Sequence, residues 1–316
     1  MIEVKNLTKA YNTRKAVNDI SFSVKRGEIL GFLGPNGAGK STTMKILSGF
    51  IPPTSGTAIV NGFDVVKDEL NVKASIGYLP ETPPVYTQME VEDYLLFAAR
   101  LHRVAKPKVK AAVAEAMEKT GIMDVRHRII GNLSKGYRQR VGLAQAIVHK
   151  PPVLILDEPT VGLDPRQIIE IRHLIKSLGG EQTVILSTHI LPEVQATCHR
   201  VVVIDHGRVV AEDTLDGIAA RMQSSSRITL ALRHDPAPVL SQIRGLAGVA
   251  GATHRIDTNG EHELSVESMK GHDVRPQVAE ICVRLGLLGL HQEKLSLEDA
   301  FVRLITSDET TLELKQ

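Results

Sequence analysis

Gly34, Pro35, Asn36, Gly37, Ala38, Gly39, Lys40, Ser41 and Thr42 follow one another as GPNGAGKST, which satisfies the pattern G-x-x-x-x-G-K-[ST]. Glycines at these positions let the backbone turn tightly and aim successive N–H groups at anionic oxygens. A lysine at position 40 can then reach β- and γ-phosphates, and the Ser41 hydroxyl can ligate Mg²⁺. The chemistry implied is the holding of a nucleoside triphosphate. Alone, this loop fits kinases, GTPases, helicases and transport ATPases equally well.

A second candidate centre is Val153-Leu-Ile-Leu followed by Asp157 and Glu158. Four aliphatic residues ending in two carboxylates read as a buried parallel strand, whose carboxyl end is where α/β sheets place their chemistry. Asp157 is suited to hold Mg²⁺ through water, and Glu158 to polarise an attacking water as general base. A strand running into a solvated acidic turn gives the same pattern. A third segment is Leu133-Ser134-Lys135-Gly136-Tyr137, where Ser134 stands at an N-cap position before a helical run over 138–149. A capped helix without further function reads the same way.

Each motif must be positioned by its neighbours. Glu28 to Leu33 is a short apolar run of strand length, and 42–49 has helical spacing at Met44 and Leu47 with a glycine stop. Strand, loop and helix are the context such a phosphate loop requires, because a helix N-terminus adds partial positive charge.

These three motifs, in this order, resemble those of the ATP-binding cassette (ABC) ATPases. That family carries LSGGQ as its signature, then a hydrophobic strand ending in DE, then a GLD loop. Here the signature reads LSKGY, departing at Lys135 and Tyr137 and keeping Ser134 and Gly136, with Arg138 and Arg140 flanking Gln139 as in the family. The resemblance implies ATP and Mg²⁺ as cofactors and assigns further residues. Tyr11 lies where the family stacks a ring on adenine, and His189 where a histidine contacts the γ-phosphate. Asp164 falls in the loop Gly162-Leu163-Asp164 that crosses the dimer interface. Glu81 replaces the family's usual glutamine at the Mg²⁺ and coupling position, where a carboxylate still suits the metal. LSKGY, Glu81 and the SLED-F segment near the C-terminus resemble the type-2 export branch, including the gliding-motility-associated ATP-binding subunits.

The same resemblance implies two copies. Ser134, Gly136 and Asp164 of one chain would close in trans on ATP held by the other, in a homodimer or a pair with a second ABC ATPase. It also implies an integral membrane permease subunit as partner, and therefore a location at the cytoplasmic face of the membrane.

The expected fold is α/β, a P-loop ABC ATPase core with an antiparallel β subdomain and a helical subdomain. The first domain spans 1–220, with the helical insert at about 82–150, and an accessory domain spans 221–316. Over 2–24 and 57–66, apolar and polar residues alternate as in an antiparallel sheet. Residues 82–149 read as mostly helical, with Val109, Val113, Ala116 and Met117 on one face. Residues 200–210 read as a hairpin around His206-Gly207. Past Gln223-Ser-Ser-Ser226, a linker by composition, the order becomes β-α-β-β-α-β, a ferredoxin-like arrangement, with a closing amphipathic helix capped by Ser296.

Composition narrows the partners. A formal net charge of +2 over 316 residues is too small to imply a polyanion, and the absence of Trp with 3% aromatic content argues against a nucleic-acid stacking surface. Cys198 and Cys282 are too few for a disulfide framework and suit a reducing cytosol. The 12 histidines show no metal-ligand spacing. Neither a secretion signal nor an apolar run of membrane-spanning length is visible. The leading expectation is an ATPase that powers a separate membrane exporter. A soluble ABC ATPase acting on nucleic acid or ribosomes is the second reading, disfavoured by the single cassette and the lack of long insertions. A regulatory nucleotide binder without turnover is the third.

Overall fold

The computed structural model describes residues 1–222, 227–256, 262–269 and 272–293. The chain divides into two compact units, Met1–Leu215 and Asp216–Gln316. The expected boundary at 220/221 lies a few residues further on, inside a helix.

In the first unit, β1 (Ile2–Tyr11) and β2 (Arg14–Val24) form an antiparallel hairpin, followed by β3 (Ile29–Leu33) and α1 (Lys40–Leu47). Next come β4 (Ser55–Val60), β5 (Phe63–Asp64), α2 (Glu69–Ser75) and β6 (Ile76–Leu79). Strands β2-β1-β4-β5 make a four-stranded antiparallel sheet. Its alternation is the two-residue period of a half-buried strand: Ile20, Phe22 and Val24 are buried while Ser21 and Ser23 are exposed.

The helices α3 (Val91–Leu101), α4 (Val109–Thr120) and α5 (Lys135–Ile147) follow. Val109, Val113, Ala116 and Met117 are all buried, in a core that also takes Leu95, Val141, Leu154 and Leu186. The stretch 82–90, expected to be mostly helical, contains no helix. Pro83 and Pro84 lack backbone donors there, and each proline disfavours helical geometry in the residue before it.

Alternation of strand and helix then resumes with β7 (Val153–Asp157), α6 (Pro165–Leu178), β8 (Thr183–Thr188), α7 (Leu191–Thr197), β9 (Arg200–Asp205), β10 (Arg208–Thr214) and α8 (Leu215–Met222). The six-stranded sheet runs β10-β9-β3-β8-β7-β6, parallel except at β10. Every residue of β3, β7 and β8 is buried, as parallel strands covered on both faces require. The β9–β10 hairpin turns at His206 (φ 43°) and Gly207 (φ 76°), the paired positive φ of a type I′ turn. Among the described residues, no helix is long and apolar enough to cross a membrane.

The second unit contains β11 (Arg227–Leu232), α9 (Leu240–Arg244), β12 (Val249–Ile256), β13 (His262–Ser268), α10 (Arg275–Val283) and β14 (Leu287–Glu293). Its antiparallel sheet is ordered β12-β13-β11-β14, so the β-α-β-β-α-β sequence folds with the two helix-following strands at the edges. Its own core includes Leu230, Leu232, Leu264, Val266, Val278 and Cys282. Cys198 and Cys282 are both free thiols. The linker at 223–226 and the helix expected from Ser296 lie outside the described residues.

Candidate nucleotide site

The register of the parallel sheet assembles the site. Leu33 pairs with Thr188 and Asp157 with Ser187, so Gly34, Glu158 and His189 all leave the sheet at the carboxyl ends of its strands. Gly34 is fixed by space, since a Cβ there would strike the Ile204 carbonyl. Gly39 is fixed twice, by φ +105° and by the Ala16 carbonyl that a Cβ would strike. Lys40 opens α1, and its Nζ donates to Gly34 O at 2.8 Å and Pro35 O at 3.1 Å. A cavity of about 530 Å³ opens here, lined by Asn36, Gly37, Gly39, Lys40, Ser41, Thr42, Glu81, Glu158 and His189, with Arg14, Ala16 and Val161. Exposed N–H groups and the dipole of α1 make such a pocket attractive to phosphate.

The two carboxylates sit in different surroundings. Asp157 is 2% exposed and accepts from Ser187 Oγ at 2.8 Å. Burial pushes its pKa above the usual carboxylate range, against hydrogen bonds from Ser187 and Ser41 that pull it down. Glu158 adopts φ +51°, a left-handed conformation that costs a non-glycine residue about 1–3 kcal/mol and is found mostly at functional sites. Its N–H donates to Ser187 O at 2.9 Å, which holds the turn. The Glu158 carboxylate sits 3.4 Å from Lys40 Nζ and 3.0 Å from His189 Nδ1. Lysine, glutamate and histidine therefore converge above the phosphate loop.

Other expected residues fall elsewhere. Tyr11 is half exposed at the end of β1, with Lys9 Nζ 5.2 Å from its ring centroid, and does not line the cavity. Its hairpin partner Arg14 does, together with Ala16. Ser134 caps α5 by accepting from Tyr137 N at 3.3 Å. Asp164 caps α6 by accepting from Gln167 N at 2.9 Å, and the Gln167 side chain lies where a Cβ on Gly136 would go. Ser134, Gly136 and Asp164 thus form a second cluster, none of them lining the cavity.

The family profile described as "ABC transporter" matches residues 17–161. The linearmycin resistance ATP-binding protein LnrL of Bacillus subtilis (strain 168) is 33% identical over 309 residues, covering 96% of this chain and 98% of that protein. The chain belongs to the ABC transporter ATP-binding subunits. The bacitracin transport ATP-binding protein BcrA of Bacillus licheniformis is 33% identical over 307 residues, covering 96% of this chain and 97% of its own. A solved ATP-binding subunit of an ABC transporter superposes with a TM-score of 0.64 at 31% identity, over 71% of this chain and 93% of that one. The subunit is accordingly an ATPase with the nucleotide-binding fold of that family.

The sequence did not point to one buried group of this ATP-binding subunit. Glu193, 1% exposed, accepts from Thr160 Oγ1 and from Thr188 Oγ1, the latter at 2.7 Å. Thr160 lies two residues past Glu158 and Thr188 immediately precedes His189, so one carboxylate ties together the turns carrying both. In the sequence it reads only as an acid in the first turn of α7, which the helix dipole already explains. Replacing Glu193 by Ala is expected to lower kcat by about 10–100-fold with little change in KM for ATP, because a misplacement of about 1 Å is that costly. Glu193→Gln, which keeps an acceptor, should recover part of the loss. Phosphate release measured against ATP concentration checks both; a rise in KM at unchanged kcat would show that Glu193 positions nothing in the reaction.

Proposed function

We propose that this subunit binds ATP between two copies and that hydrolysis there drives a separate membrane permease that exports its cargo. The observation that carries this reading is the convergence of Lys40, Glu158 and His189 on the phosphate-loop cavity, with Ser134, Gly136 and Asp164 gathered away from it. A second anion-binding helix start that does not reach the chain's own cavity has a use if it closes on a twin.

In this reading the amides from Gly34 to Thr42 and the Lys40 ammonium hold the phosphates. Glu158 takes a proton from the attacking water, oriented by His189 and by the Ser187 carbonyl that fixes its backbone. Tyr11 stacks on adenine at the rim, next to Arg14. Ser41, Asp157 and Glu81 form an all-oxygen donor set that suits Mg²⁺, and the desolvated Asp157 carboxylate is a charge that a cation would compensate. Mg²⁺ held by these residues would neutralise phosphate charge.

Export is supported by the relatives, which are resistance and transport ATP-binding proteins from bacteria. The finer likeness to gliding-motility subunits rests on LSKGY, Glu81 and the C-terminal SLED-F segment. A peripheral position at the cytoplasmic face follows from dependence on a membrane subunit. The domain reading, 1–220 for the cassette and 221–316 for the accessory part, belongs to the same proposal.

The test is the size of the Glu158→Gln variant in solution. With ATP and Mg²⁺ it should accumulate as a dimer by light scattering, and revert to monomer when ATP is removed. A variant that binds ATP and stays monomeric at every protein concentration would overturn the two-copy reading.

A further inference from the structure

The second unit gathers a set of side chains that the histidine spacing did not suggest. In the β12–β13 hairpin, His254 pairs with Leu264 and Ile256 with His262, so the two histidines are diagonal neighbours on one face. That face is anchored in the core, because Leu264 is fully buried and Leu232 of β11, also fully buried, pairs with His262. Three residues past Leu232 the chain carries Asp235, whose Oδ1 accepts from Ala237 N at 2.9 Å and is thereby held at the same rim. His254 Nε2 lies 2.9 Å from His262 Nδ1, and His254 Nδ1 lies 3.8 Å from Asp235 Oδ1. One ligand atom from each of the three residues falls within 4.8 Å of the others.

We propose that Asp235, His254 and His262 form a site for a divalent transition-metal ion of borderline softness, Zn²⁺ foremost. Two imidazole nitrogens 2.9 Å apart are bridged either by the N–H of one neutral ring or, with both lone pairs turned inward, by a metal ion. Nitrogens bound to one Zn²⁺ at about 2.0–2.1 Å stand about 3–3.4 Å apart, so a small opening of the pair accommodates the ion. The His254 side chain is 18% exposed, which leaves it held by packing, while Asp235, 56% exposed and facing His254 Nδ1, reaches the metal by swinging a carboxylate oxygen to the Nε2 side, and water can complete the coordination. A two-nitrogen, one-carboxylate set favours Zn²⁺, Co²⁺, Ni²⁺ or Cu²⁺ over Mg²⁺ and Ca²⁺. None of these residues belongs to the nucleotide site. Metal at this position would tie the turn after β11 to the β12–β13 hairpin and stabilise the second unit by mass action.

The experiment uses the full chain, stripped with chelator and free of nucleotide, titrated with Co²⁺ and followed by its visible absorption. Binding near one equivalent is expected, displaced by Zn²⁺. His254→Gln and His262→Gln should each weaken it by more than about tenfold, since even outer partners of a metal ligand are worth that much. His291→Gln, on an exposed histidine elsewhere in the unit, should leave it unchanged. Absence of Co²⁺ binding, or binding indifferent to both glutamine variants, overturns the proposal. Should either variant fail to fold, imidazole ¹⁵N spectra of the unaltered chain decide. Zn²⁺ must shift the rings of His254 and His262, and shifts confined to other histidines overturn the site.

Discussion

Replacing Glu158 by Gln is expected to lower ATP turnover by at least about 100-fold while leaving ATP bound. The carboxylate is held by its left-handed backbone, by the bond from its own N–H to Ser187 O, and by His189 Nδ1 at 3.0 Å. An amide keeps the shape and loses the basicity, so the loss should fall on kcat rather than on affinity. Phosphate release and nucleotide affinity measured on the same preparation separate the two. Turnover within a few-fold of the parent protein would mean that the proton is taken by another group, His189 being the nearest.

Removing Lys40 should damage both the fold and the binding. Lys40 and Glu158 are almost fully buried and 3.4 Å apart. Lys40→Ala leaves the Glu158 carboxylate buried with His189 as its neighbour, and stranding one partner of a buried pair costs about 3 kcal/mol or more. In the proposed function the same substitution removes the ammonium that holds the phosphates, so ATP affinity should fall by at least about tenfold, equivalent to 1.4 kcal/mol. Urea denaturation without nucleotide reads the first effect, and equilibrium binding reads the second. The double variant Lys40→Ala with Glu158→Gln should regain much of the stability and none of the affinity. If Lys40→Ala unfolds at the same urea concentration as the parent, the ion pair contributes nothing to the fold.

Much of this was legible because the motifs are local and the sheet is built from uniform apolar runs. Val153 to Leu156 announces a strand covered on both faces, and its carboxyl end locates Asp157 and Glu158 without any long-range information. The alternation over Ile20 to Val24 and the β-α-β-β-α-β order from Arg227 to Glu293 likewise survive in the fold. Contacts between residues far apart in sequence were not legible. Glu193 meets Thr160 only because α7 packs under the turn after β7, and nothing in its neighbours marks it. His254 and His262 meet through hairpin register, eight residues apart, which no metal-ligand spacing describes. The absence of helix over 82–90 shows the limit of apolar periodicity where two adjacent prolines withhold their donors. Tyr11 sits beside the cavity rather than in its wall, because the resemblance locates a sequence position and not the turn of a hairpin tip.

In the proposed dimer each ATP is completed by residues of two chains. Lys40→Ala disables the loop of its own chain, and Ser134→Arg disables the helix start offered to the twin. Each variant alone should hydrolyse ATP at a small fraction of the parent rate. Mixed in equal amounts, they form pairs in which one site has both an intact Lys40 and an intact Ser134, so activity should rise well above either alone. A mixture no more active than the sum of its two components would contradict the shared site.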